Sequence, residues 1–461
     1  MVVVAAHEVG IISSDERITR NNQEWWTLRK LAWILLTLAV GPLSACRTAS
    51  KPESTASGLR VVGGNPSTYL GLFCEVYEAC RQQFMDSAKL AGAQVPGFKE
   101  WQVPLPANDE GLTIDFAFFP AGGAAREKLL VLTSGIHGLE GFTGSALQTF
   151  FLKTMLADTL KSGVSVLFVH GINAYGFKHG SRYTQHRVDL NRNWFLSDAF
   201  PVGNDDHLYD QFNAMLNPTG PAAFSDVDFS WFAAKELLPK LKSALNGQLT
   251  QAAGQGQYRF RTGLEFGGQA YEPHRQIFLS QVQPYLLNYK HVMHLDLHTG
   301  LGERTMQLLP NAPFRPEVKS LRQKVFIAAG GQIQDTGSSN FYSSYGDFSD
   351  FVCGVVYAHA AGHDCVNMLI EYGTLMQTYW QEWPLGLGVL KADIAQAFTL
   401  YLSIRENQMY YNGARTEAEG MALKNSVRSL FYPEDRDWRV MVLSDTMTQW
   451  PKFIANFAGL P

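Results

Sequence analysis

Four short, almost uninterrupted apolar runs constrain this chain more than any other feature. They are Lys128–Ile136 (KLLVLTSGI), Val164–His170 (VSVLFVH), His291–Leu297 (HVMHLDL) and Cys365–Ile370 (CVNMLI). A strand with one wet face alternates apolar and polar residues; a strand covered on both faces does not need to. Leu112–Phe119 does alternate, through Ile114, Phe116 and Phe118, and reads as a further strand. Helical spacing of apolar residues marks Tyr69–Ala93, Gly144–Leu156, Phe229–Ser243, Arg315–Ala329 and Leu387–Gln408. Strands alternating with helices predict an α/β fold: a mixed, largely parallel twisted sheet flanked by helices. Ser197–Gly263 is irregular and reads as a long insertion holding one helix, while Arg415–Pro461 packs helices against the sheet.

The N-terminal region follows a different logic. Arg29-Lys30 precede the apolar run Leu31–Val40 and then Gly41-Pro42-Leu43-Ser44-Ala45-Cys46, a secretory-signal pattern. Leu31–Ala45 is too short to span a bilayer comfortably. Leu-Ser-Ala-Cys resembles the lipobox of bacterial lipoproteins, which implies a lipid anchor at Cys46 and a place in the cell envelope. The 28 residues before the basic pair are long for such a signal. The expected organisation is an extension and signal over 1–46, a tether over 47–64, and one catalytic domain over 65–461. Besides Cys46 there are Cys74, Cys80, Cys353 and Cys365; export permits Cys74–Cys80 and Cys353–Cys365 bridges, and free buried thiols are the alternative. The net charge of −4, without a long basic run, argues against nucleic acid as a partner.

The chemistry-bearing residues cluster after the predicted strands, where open α/β sheets gather ligands. Gly135-Ile136-His137-Gly138-Leu139-Glu140-Gly141 offers an imidazole and a carboxylate from one tight turn. Asp296 and His298 share a face of their strand, and His298 at its end is a good third ligand; His291 and His294 are nearby rivals. Two histidines and a glutamate suit one zinc ion with an open position for water. Arg182, with Asn191 and Arg192 in VDLNRNW, suits an anionic substrate end. Glu371, directly after an apolar strand, is costly to bury unless used or paired, and a zinc hydrolase needs a carboxylate base.

Together these motifs, in this order, resemble the zinc carboxypeptidase superfamily. NAYGF, VDLNRN, DLHTG, EYGT and the terminal FYPEDRDW resemble most its uncharacterised branch, known as a domain of unknown function, over Tyr69 to the end. Ala174 departs from the proline common in NPxGF. The resemblance implies that His137, Glu140 and His298 bind zinc, that Glu371 is general base and then proton donor, and that Arg182 stabilises the oxyanion, with Arg187 as rival. It further implies that Asn191 and Arg192 hold a substrate carboxylate, that Asp189 orients His137, and that Tyr345 or Tyr342 caps the substrate.

The implied activity is hydrolysis of a peptide or amide bond, with a metallocarboxypeptidase first and an N-acyl amino acid deacylase as the alternative. The DLHTG motif resembles the deacylase branch, and both substrate classes carry a free carboxylate. A serine hydrolase with a nucleophile elbow is disfavoured because no GxSxG occurs. A non-catalytic envelope binding protein is the remaining alternative, and the intact base, ligands and arginine argue against it.

Overall fold

The computed structural model describes residues 64–106, 109–122, 127–201, 207–232, 246–300, 302–310, 316–333, 342–374 and 388–461. The expected signal, the Cys46 anchor and the tether up to residue 63 lie outside the described residues, as does Phe341.

A seven-stranded sheet forms the centre, in the order β1-β2-β4-β3-β5-β7-β6. The strands are β1 (Lys99–Pro104), β2 (Thr113–Phe119), β3 (Lys128–Ser134), β4 (Val164–His170), β5 (His291–Thr299), β6 (Met306–Leu309) and β7 (Asp364–Tyr372). The four apolar runs become β3, β4, β5 and β7, which pair in parallel. β1, β2 and β6 add antiparallel pairings at the two sides. Every residue of β2, β4 and β5 is buried, as double coverage by helices requires. Leu129, Leu130, Val131 and Leu132 are wholly inaccessible, so truncating any of the three leucines to alanine costs about 2–5 kcal/mol.

Several expected elements change shape. Tyr69–Ala93 is not one helix: a 3-10 turn, Pro66–Leu72, precedes a helix over Tyr77–Gly92. The Cys74–Cys80 bridge straddles the break, and Cys353–Cys365 is also bridged, so both expected pairings form. Among the described residues the insertion shows helices over Leu208–Leu216, Asp226–Phe232 and Asn246–Gly254, while the expected helix Phe229–Ser243 lies outside them beyond Phe232. The stretch from Pro316 is helical to Arg322 and then widens into a π turn over Gln323–Ile327. The C-terminal helices Glu417–Phe431 and Arg436–Ala458 complete the shell. Among the described residues, no helix is long and apolar enough to cross a membrane.

Helix Gly141–Thr154 packs on one sheet face, where Gln148 donates to the carbonyls of Leu132 and Val169 at 2.8 and 3.1 Å. Helix Phe348–His359 covers the opposite face, along β5 and β7. The terminal motif braces the far ends of β5 and β7. Trp438 Nε1 donates to Gly373 O at 2.8 Å, Thr299 Oγ1 donates to Phe431 O at 2.6 Å, and Asp435 caps the last helix.

Candidate metal centre

β3 ends at Ser134, and the chain turns through Gly135 with φ +73°, where a side chain is strained. A 3-10 turn over Gly138–Glu140 follows. It needs glycine at 138, because a Cβ there meets the Gly176 backbone at 2.1 Å. The same approach lets Gly138 N and Leu139 N donate to the carbonyls of Arg182 and Ser181 at 3.3 and 3.0 Å. This turn thus brings His137, Glu140 and Arg182 to one place.

The three expected ligands converge. His137 Nδ1 lies 2.9 Å from Glu140 Oε1, and His298 Nδ1 lies 3.0 Å from Glu140 Oε2. One ligand atom from each falls within 4.8 Å of the other two, the only such group of histidine, cysteine or acidic residues among the described residues. All three are buried. The remote ring nitrogens face carboxylates. Asp296 Oδ2 is 2.8 Å from His298 Nε2, and Asp189 Oδ1 is 3.5 Å from His137 Nε2, which has no hydrogen-bond partner among the described residues. Asp296 is itself fixed by Thr133 Oγ1, donating at 2.6 Å.

Electrostatically the centre favours a cation. Burial alone raises the Glu140 carboxyl, but His137 and His298 hold it well below the usual carboxylate range. Burial alone lowers the His298 imidazole, but Asp296 and Glu140 hold it well above its usual value. Two carboxylates, Asp296 and Glu140, thus face one imidazole, and a metal ion's charge would balance them there. The donor set and the aspartate behind each imidazole fit zinc.

The neighbouring residues sort by position. Glu371 is buried and pairs with His298 in the β5–β7 register, so the two share a sheet face. Arg182 Nη1 lies 3.3 Å from His137 Nδ1, while its Nε donates to Asp189 Oδ2 at 2.9 Å. Arg187 turns away, to Ser181 Oγ at 3.2 Å and Asn407 Oδ1 at 3.1 Å. Asn191 Oδ1 accepts from Phe348 N at 2.9 Å. Arg192 donates through Nε and Nη2 to Gly254 O at 3.0 and 2.6 Å, and through Nη1 to Asn191 O at 2.8 Å. Tyr342 lies under Arg192, 5.7 Å from guanidinium carbon to ring centre, whereas Tyr345 is exposed. His294 sits mid-strand between Thr133 and Ser349, and His291 at the strand start beside Asp364. The VDLNRNW cluster does not follow its strand directly; the helix Ala174–His179 intervenes after β4.

Sequence reasoning missed Glu265 entirely and gave Asp296 no task. Glu265 is buried, with Oε2 3.0 Å from Arg182 Nη2 and 3.5 Å from Arg192 Nη2. Burial pushes its carboxyl up to about 8, with Asp189 adding to the push and Arg182 opposing it. Its φ is +54°, a conformation costing on the order of 1 kcal/mol for a residue with a side chain. The loop imposes that backbone: Gln257 N donates to Glu265 O at 3.1 Å and Asp189 N to Phe266 O at 2.7 Å. Its only sequence signal is a lone carboxylate in Gly263-Leu264-Glu265-Phe266-Gly267-Gly268.

A serine–histidine–aspartate arrangement also exists. Ser145 Oγ lies 2.9 Å from His170 Nε2, and Asp115 Oδ2 lies 3.7 Å from His170 Nδ1. All three are wholly inaccessible, Phe84 stacks on the imidazole at 4.3 Å, and Arg81 holds Asp115 at 2.7 Å. With no route for a substrate, this is a packed polar core.

Fold and donor set together define an α/β protein with a buried two-histidine, one-glutamate centre at the ends of parallel strands. The chain belongs to the family described as "Protein of unknown function (DUF2817)", whose model matches residues 73–445, the branch that DLHTG and EYGT imply. Solved structures with a similar chain path include a carboxypeptidase A from Helicoverpa armigera (13% identity, 78% of this chain and 75% of that one, TM-score 0.39). Two more are metallo-carboxypeptidases from Pseudomonas aeruginosa (14%, 71% and 69%, 0.36) and Burkholderia cenocepacia (12%, 71% and 69%, 0.36). Among curated proteins, none matches the sequence.

Proposed function

We propose that the chain is a zinc-dependent hydrolase of a peptide or amide bond, with machinery of the metallocarboxypeptidase kind. The observation that carries this reading is the convergence of His137 Nδ1, Glu140 and His298 Nδ1, with a carboxylate behind each imidazole. Zinc at such a centre supplies Lewis acidity to the scissile carbonyl.

The protein's own residues do the rest. Glu371, one strand over from His298 and on the same face, takes the proton of the attacking water. It then delivers that proton to the departing amine. Arg182, braced by Asp189 and Glu265, places a fixed positive charge beside the ligands, where the carbonyl oxygen gains negative charge. Thr299 N and the two imidazoles hold Glu140 in place, so its carboxylate is prearranged rather than recruited.

The site of action in this proposal is the cell envelope, with the chain tethered through Cys46. Two disulfides are consistent with an oxidising compartment. The test of the function is a hydrolysis screen of the zinc-loaded chain on C-terminally free peptides, their amides and N-acyl amino acids. Zinc-dependent release of an amine from one class is expected; no turnover of any of them contradicts the reading.

A further inference from the structure

The half-buried Arg182, beside the metal ligands, and the buried Arg192 both reach Glu265, and a substrate carboxylate entering between them needs their N–H groups. Most of those groups are already engaged. Arg182 donates Nε to Asp189 Oδ2 at 2.9 Å and Nη2 to Glu265 Oε2 at 3.0 Å, Nη2 also lies 2.9 Å from Asp189 Oδ2, and its Nη1 faces His137. Arg192 gives Nε, Nη1 and Nη2 to backbone carbonyls of Gly254 and Asn191. The side that both guanidiniums present to one another is taken by Glu265, whose single oxygen Oε2 reaches each of them. Glu265 is not a surface residue that happened to fold inward. It is buried and holds a left-handed backbone at φ +54°; Gln257 N donates to its carbonyl, and its neighbours Leu264 and Phe266 are held by Tyr209 and Asp189.

We propose that Glu265 determines specificity by occupying, as an internal carboxyl group, the anion position between Arg182 and Arg192. The enzyme then selects substrates whose leaving portion carries no free carboxylate beside the scissile bond: C-terminally blocked peptides or internal amide bonds. This rests on the hydrolase reading above and replaces the carboxylate-holding role that the sequence resemblance implied for Asn191 and Arg192. A substrate carboxylate brought to the same place would meet Glu265 and Asp189 with few donors to spare, and a buried anion without partners is expensive. The acid form of Glu265 fills the same volume, so the exclusion holds on either side of its titration.

Two experiments test this. In the first, the zinc-loaded full chain receives a degenerate acetylated tripeptide pool, once as free acids and once as C-terminal amides, with products read by mass spectrometry. The amide pool is expected to show kcat/KM at least tenfold above the acid pool; equal rates, or a preference for the acids, overturn the proposal. In the second, acetate alone is titrated calorimetrically into the metal-free chain and into its Glu265→Gly variant. Glycine suits the left-handed backbone and empties the position. The variant is expected to bind acetate at least tenfold more tightly than the wild type; equal affinities overturn the proposal. Turnover of neither pool removes the hydrolase reading, and the acetate titration then decides the role of Glu265 by itself.

Discussion

Asp296 and His298 lie two residues apart on β5, and Asp296 Oδ2 holds His298 Nε2 at 2.8 Å. The aspartate thereby settles which ring nitrogen is free to face the centre: Nδ1, 3.0 Å from Glu140 Oε2. It also explains why a strand-end Asp-Leu-His supplies one metal ligand rather than two. Asp296 is committed to His298 and to Thr133, and does not reach the ligand cluster.

Asp296→Asn removes the charge that supports the imidazole while keeping a side chain of the same shape. Zinc affinity is expected to fall about 10- to 100-fold, the usual effect of losing such a partner. Competition with a fluorescent chelator measures it. An unchanged affinity contradicts the orienting role.

Glu371→Gln keeps volume and hydrogen-bonding capacity but cannot take a proton from water. Turnover is expected to fall by about 10²–10⁴-fold, with zinc content unchanged. Wild-type turnover in this variant sinks the general-base assignment. Loss of zinc together with activity relocates Glu371 to the ligand set.

His274 is buried, neither ring nitrogen has a hydrogen-bond partner among the described residues, and burial, with His186 adding to it, pushes its pKa down to about 3. The unfolded chain binds the proton near pH 6.5, whereas the folded chain resists it. The neutral ring's contribution to stability is therefore complete above about pH 6.5. It falls by about 1.4 kcal/mol per pH unit as pH drops toward 3. His274→Leu is expected to flatten this dependence. Urea midpoints of both proteins at pH 7.5 and 4.5 read it; parallel losses in the two proteins refute it.

Cys46→Ser tests the tether. Lipid labelling in a bacterial host is expected to disappear from the variant while the folded domain is retained. Persistent labelling refutes an anchor at Cys46.

The centre of this fold was legible because its signals are periodic or local. Val164–His170 is a strand in both readings, and β3, β5 and β7 shift by no more than two residues at any end. HxxE was legible because both ligands lie in one turn. The edges were not legible. β6 has four residues, too few for a pattern, and Lys99–Pro104 alternates in burial but carries charges and ends in proline. In the insertion, Leu208–Leu216 and Asn246–Gly254 were not read as helices because Gly, Pro and Asn interrupt the apolar spacing around them. Glu265 was invisible for a different reason. Its importance comes from tertiary contacts with Arg182 and Arg192, 83 and 73 residues away, and no local spacing encodes them.

Zinc stoichiometry is the most direct test of the central claim. The chain is dialysed against zinc, passed through a desalting column and analysed for metal per folded protein. One zinc per wild-type chain is expected, with less than a tenth of that in both His137→Ala and His298→Ala. A wild-type chain that retains no zinc, or a His298→Ala variant that retains a full equivalent, contradicts a centre built from His137, Glu140 and His298.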